Sequence, residues 1–280
     1  MSRSYSRADS HDAPWPDTVS FVMRGRWALF LSPKWIAFHL VVIIAAVTLF
    51  NLGLWQLRRL DERQTFNAVV EQRFSEPAVA LDVLVPDDVV IDSDGADVLA
   101  ADIEWRSATV SGTYLPEHAI RVVNRSQNGR AGDNLVVPLR LDDTRVLLVS
   151  RGFVPLGIEA PDVPSVSVEV TGRLHPSQER SLLGARDPSE GVLTEVQRLD
   201  LSRLDPQIPG DLLPVYMDLL SSNPPEVSGV PEPVIAPDLS EGNHLSYAIQ
   251  WFVFSLAILA GWVVAMKVSQ KRALRLSSDH

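Results

Sequence analysis

The 280-residue chain contains no cysteine. Disulfides, zinc fingers, thiolate copper sites, c-type haem attachment and cysteine nucleophiles are therefore excluded. A copper chaperone working through paired cysteines is excluded with them. The familiar catalytic motifs are also missing, with no H-E-x-x-H, G-x-S-x-G, P-loop or G-x-G-x-x-G segment. A Ser/His/Asp triad assembled in space needs no motif, but nothing points to one, and no enzyme is expected. Lysine occurs only at Lys34, Lys267 and Lys271, and the net charge is −10. No basic, extended face could follow a phosphate backbone, so nucleic acid is not an expected partner.

What the chain does have is two long apolar runs. Trp35 to Leu57 holds 23 residues without formal charge, bounded by Lys34 and Arg58. At a helical rise of ~1.5 Å this run reaches about 34 Å, enough to cross a bilayer. Leu245 to Met266 holds 22 and stops at Lys267. A small soluble domain rarely carries two core helices this long and this apolar, so both read as transmembrane helices. The first is too long for a signal-peptide core and has no small-residue cleavage site after it. The polar stretch before it, with Pro14 and Pro16, reads as disordered, and its acids do not suit a mitochondrial transit peptide.

Charge asymmetry sets the expected orientation. Lys267, Lys271, Arg272 and Arg275 follow the second run, while the fifteen residues before it carry no Lys or Arg. The C-terminus, and with two spans the N-terminus, should be cytoplasmic. The part between the spans holds 16 basic residues, all arginine, against 31 acids. The expected organisation is a cytoplasmic disordered N-terminus at 1–34 and a transmembrane helix at 35–57. An extracytoplasmic domain at 58–222 and a proline-rich return strap at 223–244 follow. A second transmembrane helix at 245–266 and a basic cytoplasmic tail at 267–280 complete it. The expectation is a multi-pass protein of the cell membrane, with membrane lipid as a partner.

The middle reads as about seven strands, a mainly antiparallel β-domain of barrel or sandwich type. Candidate strands are 105–114, with Gly112 as an exit or bulge, then 120–124, 134–141, 145–154, 166–174, 192–199 and 212–220. Val166, Val168 and Val170 fall on one face of theirs. Asn128-Gly129 marks a turn. An amphipathic helix can continue from the first span through Phe74. Residues 81–104 carry eight acids and no base, and read as a solvated loop. Within them, Asp92 to Asp97 looks like a calcium loop, but its glycine comes one place early. Prolines at 224, 225, 231, 233 and 237 make the strap extended and exclude a central strand.

Six histidines remain as candidate ligands. His11 and His280 lie in the tails, and His118 and His175 sit beside prolines in expected turns. His39 lies at the far end of the first span, five residues after Lys34. His244 stands at the outer mouth of the second. At 100° per residue, His244, Tyr247, Trp251, Ser255 and Trp262 share one helical face. Thr48, Asn51, Trp55 and Arg59 form a comparable stripe on the first helix, with Arg58 beside it. Antiparallel neighbours would bring the two stripes together. On residue chemistry alone, an interfacial belt with interhelical hydrogen bonds is the favoured account. The same residues also suit a macrocycle, with imidazole on iron, aromatic faces on the ring and arginines on propionates.

Four segments carry a family resemblance. They are Leu52-Gly-Leu-Trp-Gln-Leu-Arg-Arg-Leu60, Arg145 to Pro155 (RVLLVSRGFVP), Val168-Glu-Val-Thr-Gly-Arg173, and Asn243 to Phe252 (NHLSYAIQWF). In this order between two apolar runs, the chain resembles a bacterial member of the Surfeit locus protein one family, assembly factors of haem-copper cytochrome oxidase. The resemblance runs from about Trp35 to Met266. Phe153 stands where the family usually has tryptophan, Arg63 where lysine is common, and Glu241-Gly242 where another asparagine is common. The resemblance implies a chaperone-like role in maturing oxidase subunit I, by binding and hand-off of haem a received from haem a synthase. His244 is then the implied haem-iron ligand, and Tyr247, Trp251, Trp55, Arg58 and Arg59 are its implied surroundings. A persistent accessory subunit of the oxidase or respiratory supercomplex is the alternative. A sensor would need a cytoplasmic output module, for which the two short flanks leave little room.

Overall fold

The computed structural model describes residues 29–141, 144–178, 186–226 and 229–278. Most of the expected disordered N-terminus, with His11, lies outside them, and so does His280 at the end of the basic tail. In chain order the elements are α1 (Pro33–Ser75), β1 (Val79–Ala80), α2 (Leu81–Leu84), α3 (Ala96–Asp102), β2 (Ser107–Tyr114), β3 (Ile120–Gln127), β4 (Arg130–Arg140), β5 (Arg145–Pro155), β6 (Val168–Pro176), β7 (Glu195–Val196), α4 (Leu201–Leu204), β8 (Asp211–Asn223) and α5 (His244–Ser278). Two long apolar helices thus flank a β-domain, an arrangement consistent with a membrane protein. Two compact units result. One comprises residues up to Gln64 together with 240–280, and the other is 65–239.

In the second unit, the strands lie in the order β1-β2-β6-β8-β5-β4-β3-β7. Thr113 and Tyr114 of β2 also pair with Arg140 and Leu139 of β4, so the ring β2-β6-β8-β5-β4 closes on itself. The sheet is mixed, with parallel pairs β1–β2, β3–β7 and β5–β8. Pairs β2–β4, β2–β6, β3–β4, β4–β5 and β6–β8 are antiparallel and hold most of the paired residues, as the mainly antiparallel expectation has it. The long excursion between β5 and β8 brings β8 back in the same direction, as a parallel neighbour requires. The expected strand at 192–199 is only the two residues of β7. Gly112 lies inside β2, paired with Val168, and Val166 is exposed ahead of β6.

Side-chain alternation sorts the apolar residues into two cores. Leu147 and Val149 of β5 join Val137, Leu139, Val170, Leu213, Val215 and Met217 in one. Val146 and Leu148 point the other way, to Val136, Ile120, Leu201, Leu204 and Leu212. Strand β5 is therefore buried on both faces, which explains its unbroken apolar run. Residues 81–104 are not one solvated loop, because α2 and α3 form there. Leu81, Val85, Ala100 and Ile103 enter the first core while the acids stay outside it.

The strap is sewn to the edge of β5. Parallel pairing with β8 ends at Ser150, leaving Phe153 with free backbone groups on that side. Glu232 takes them, its N–H donating to the Phe153 carbonyl (2.8 Å) and its carbonyl accepting from Phe153 N–H (2.7 Å). Pro231 and Pro233 on either side have no N–H, so the bridge is confined to one residue. Side chains add to it. Arg151, 2% exposed, clamps both Glu226 oxygens at 2.9 and 2.5 Å. Arg130 pairs with Glu232 at 2.5 Å, and this hydrogen bond holds the Glu232 carboxyl below its usual range. Gln127 donates to the Pro233 carbonyl at 3.0 Å.

His175 is in β6 rather than a turn. Its Nε2 lies 3.2 Å from Asp218 Oδ2, and its ring stacks on Tyr216 and meets Trp105 edge-on. Burial pushes the Tyr216 phenol up, and its oxygen accepts from Gln178 Nε2 at 2.7 Å. These groups satisfy one another and tie β6 to β8. His118 ends a short 3₁₀ turn, as expected from Pro116.

Candidate functional site

The helix pair of the first unit is antiparallel, and its contacts fix the register. Going up α5, His244 meets Gln56, Phe252 meets Gly53 and Phe50, Ser255 meets Ala46, and Trp262 meets His39. The partners descend α1 as the residues climb α5. Gly53 has no side chain, and the Phe252 ring fills the space one would take. Ser255 Oγ donates to the Ala46 carbonyl at 3.0 Å, a buried hydrogen bond of the kind that holds apolar helices together. Ala46, Val42 and Ala248 are buried along the seam, while Ile44, Val47, Ile249, Val253 and Leu256 are exposed. That outward apolar surface suits lipid.

His244 is the first residue of α5, where the Tyr247 N–H donates to the Asn243 carbonyl to close the first turn. Its Nδ1 lies 2.8 Å from Gln56 Oε1. An amide oxygen can only accept, so Nδ1 carries the proton and donates. In the neutral ring, Nε2 then keeps its lone pair. Among the described residues Nε2 has no hydrogen-bond partner. Beside it is Gly242, at φ +68°, where a Cβ would sit 3.6 Å from Nε2. Glycine takes this left-handed backbone without strain, and a Cβ there would make only ordinary van der Waals contact with the ring.

The other expected residues are spread around this mouth. Trp55 and Tyr247 are about half exposed, at 47% and 48%. Trp251 packs edge-on against Phe254 at 6.1 Å. Arg58 is exposed, and Arg59 reaches along its own helix to Glu62 at 2.6 Å. Among the described residues, none of these five hydrogen-bonds His244. Nearby polar side chains on the two chain segments do pair. Gln64 Nε2 donates to Glu241 Oε1 (3.0 Å), and Arg63 Nη2 to the Ser240 carbonyl (3.1 Å). Gln56 was legible only as part of an apolar-to-basic segment. Its signal was position, one residue after Trp55 at the level of the second helix's first turn.

His39 differs. Trp262 Nε1–H donates to its Nδ1 at 2.8 Å, and indole nitrogen can only donate. The rings of Phe30, Trp35, Phe38 and Trp262 surround the imidazole, with centroids 5.5 to 6.3 Å away. The nitrogen that faces Trp262 is already occupied as an acceptor.

The SURF1 family profile matches residues 43–256, from within α1 to within α5. The chain belongs to the SURF1 family. Its relatives include an uncharacterized SURF1-like protein of Mycobacterium bovis, 28% identical over 239 residues, which covers 82% of this chain and 83% of the relative. A SURF1-like protein of Rickettsia felis is 25% identical over 236 residues, covering 81% of this chain and 95% of its own. A shorter match of 115 residues, 30% identical, covers 40% of this chain and 27% of a Saccharomyces cerevisiae protein named cytochrome oxidase assembly protein SHY1. The family match takes in both Gln56, in the middle of α1, and His244, the first residue of α5.

Proposed function

We propose that this SURF1-family chain is an assembly factor for haem-copper cytochrome oxidase, maturing subunit I by binding haem a and handing it on. The observation that carries the reading is His244, the first residue of α5, whose Nδ1 is held by Gln56 and whose Nε2 has no hydrogen-bond partner among the described residues. Family membership and the yeast relative's name support the oxidase as the client. Haem a is cargo in this reading, received from haem a synthase, and the chain's own residues do no covalent chemistry. His244 would ligate iron, Trp55, Tyr247 and Trp251 would pack on the macrocycle, and Arg58 and Arg59 would attract its propionates. When bound, the haem iron would take the imidazole as a ligand, and that bond would hold the cargo until transfer. The deciding experiment is a deletion strain. The haem a absorption band of the oxidase and oxidase activity should both fall while subunit I remains detectable, and a plasmid copy should restore them. Undiminished haem a and activity would overturn the assembly role.

We also propose that α1 and α5 cross the cell membrane, with both chain ends cytoplasmic and the β-domain outside. The supports are two apolar helices in antiparallel contact and the cluster of Lys267, Lys271, Arg272 and Arg275 after the second span. A reporter active only outside the cytoplasm should light up when fused after residue 200 and stay dark after residue 280. The reverse pattern would sink the topology.

A further inference from the structure

The hydrogen bonds of the helix pair give its two histidines opposite protonation at the same ring positions. His244 Nδ1 faces an amide oxygen, which cannot donate, and His39 Nδ1 faces an indole N–H, which cannot accept. Each partner is half-buried between the helices, where water competes poorly for the bond. In the neutral rings the proton of His244 therefore sits on Nδ1 and that of His39 on Nε2. An imidazole ligates through a nitrogen that carries no proton. His244 offers Nε2 for this purpose. His39 would have to give up the Trp262 bond or lose its Nε2 proton.

We infer that Gln56 is the positioning residue that fixes His244 in its ligating tautomer, as Trp262 fixes His39 in the non-ligating one. The inference rests on His244 being the haem ligand only for its consequence; the tautomers themselves need no haem. Metal-ligating histidines commonly donate their second nitrogen to an oxygen acceptor, which orients the ring and raises its basicity. Gln56 supplies that acceptor from the opposite helix, so the ligand's orientation depends on the helix pair staying closed. Replacing the acceptor by a side chain of equal size should weaken the ligand without removing it. A stronger acceptor should keep the tautomer and push electron density toward iron.

The test uses the full chain in detergent, labelled with ¹⁵N-histidine, at neutral pH. Nitrogen–proton correlation spectra, assigned with His244→Ala and His39→Ala, should show His244 protonated on Nδ1 and His39 on Nε2. Gln56→Leu should shift His244 toward a tautomer mixture and lower affinity for added ferric haem a by about 10- to 100-fold. Gln56→Glu should hold the Nδ1–H form, keep affinity within a few-fold, and lower the midpoint potential of the bound haem. Wild-type His244 protonated on Nε2 would mean that the amide nitrogen faces the ring, and the inference would fall even if haem binds. Gln56→Leu with unchanged tautomer and affinity would overturn it as well. Correct tautomers in a wild-type chain that takes up no haem would instead remove the haem reading and leave the positioning role intact.

Discussion

Gly152→Ala is expected to lower the melting temperature of the detergent-solubilised chain by roughly 4–24 °C. Two effects add at this residue. Its φ is +137°, a backbone region that L side chains rarely adopt, and such strain costs of order 1–3 kcal/mol. A Cβ would also run into the Glu232 carbonyl and the Pro231 ring, the two parts of the strap that close on β5. Backbone cannot swing aside like a long side chain, so the overpacking adds about 1–3 kcal/mol more. In a unit of this size each kcal/mol corresponds to about 2–4 °C. Gly157→Ala is the matched control. Its φ is +79° but no atom lies within 4 Å of the position a Cβ would take, so only the backbone term applies. Equal shifts for the two variants would show that the strap does not press on β5 as described.

The glycine's role was not legible in the sequence, although its neighbours were. The stretch 145–154 was read as a strand, and its apolar density announced burial. What covers each face depends on partners distant in sequence. β8 arrives parallel on one edge up to Ser150, and Glu232 takes the same edge beyond it. No local pattern encodes that hand-over. The prolines of the strap were readable as extended chain, but the lone N–H between Pro231 and Pro233 gained meaning only opposite Phe153.

Other misreadings had a local signal that was outvoted. Eight acids in 81–104 suggested a solvated loop. Yet Leu81 and Val85, and Ala96, Ala100 and Ile103, recur three or four residues apart, and these are the buried positions of α2, α3 and their flanks. The acids ride on the opposite faces. The helix pair was the most legible element, because uncharged runs of 22 and 23 residues leave few alternatives. The antiparallel contact is there, but the expected stripe of α1 is not its face: Thr48, Asn51, Trp55 and Arg59 are exposed, and the seam is made by Val42, Ala46, Gly53 and Gln56. The arginines therefore stay away from the imidazole, and Arg59 is held by Glu62 one turn along. A helical wheel gives the face of a residue and not where a long side chain ends.

His244→Ala is expected to reduce haem a copurifying with the chain by at least about 10-fold, with protein level and membrane insertion unchanged. The lower bound comes from groups that hydrogen-bond a metal's ligands, whose loss alone costs about 10–100-fold in metal affinity, and a ligand should matter no less. Alanine suits the first turn of a helix, and the seam below is held by Phe252, Ser255 and Trp262, so the helix pair should persist. His39→Ala supplies the comparison. It removes an imidazole whose Nδ1 is occupied by Trp262, and copurified haem a should not change. Replacing Arg58 and Arg59 together by alanine should weaken retention less than His244→Ala. Arg58 is exposed and Arg59 is shared with Glu62, so each offers a propionate a screened attraction rather than a bond to iron. Oxidase assembled beside the His244 variant should contain less haem a per subunit I. If the variant retains as much haem a as the wild-type chain, His244 is not the ligand. The assembly role would then rest on family membership and the oxidase phenotype of the deletion strain alone, and the imidazole–amide pair would be an interhelical clasp at the mouth of α5.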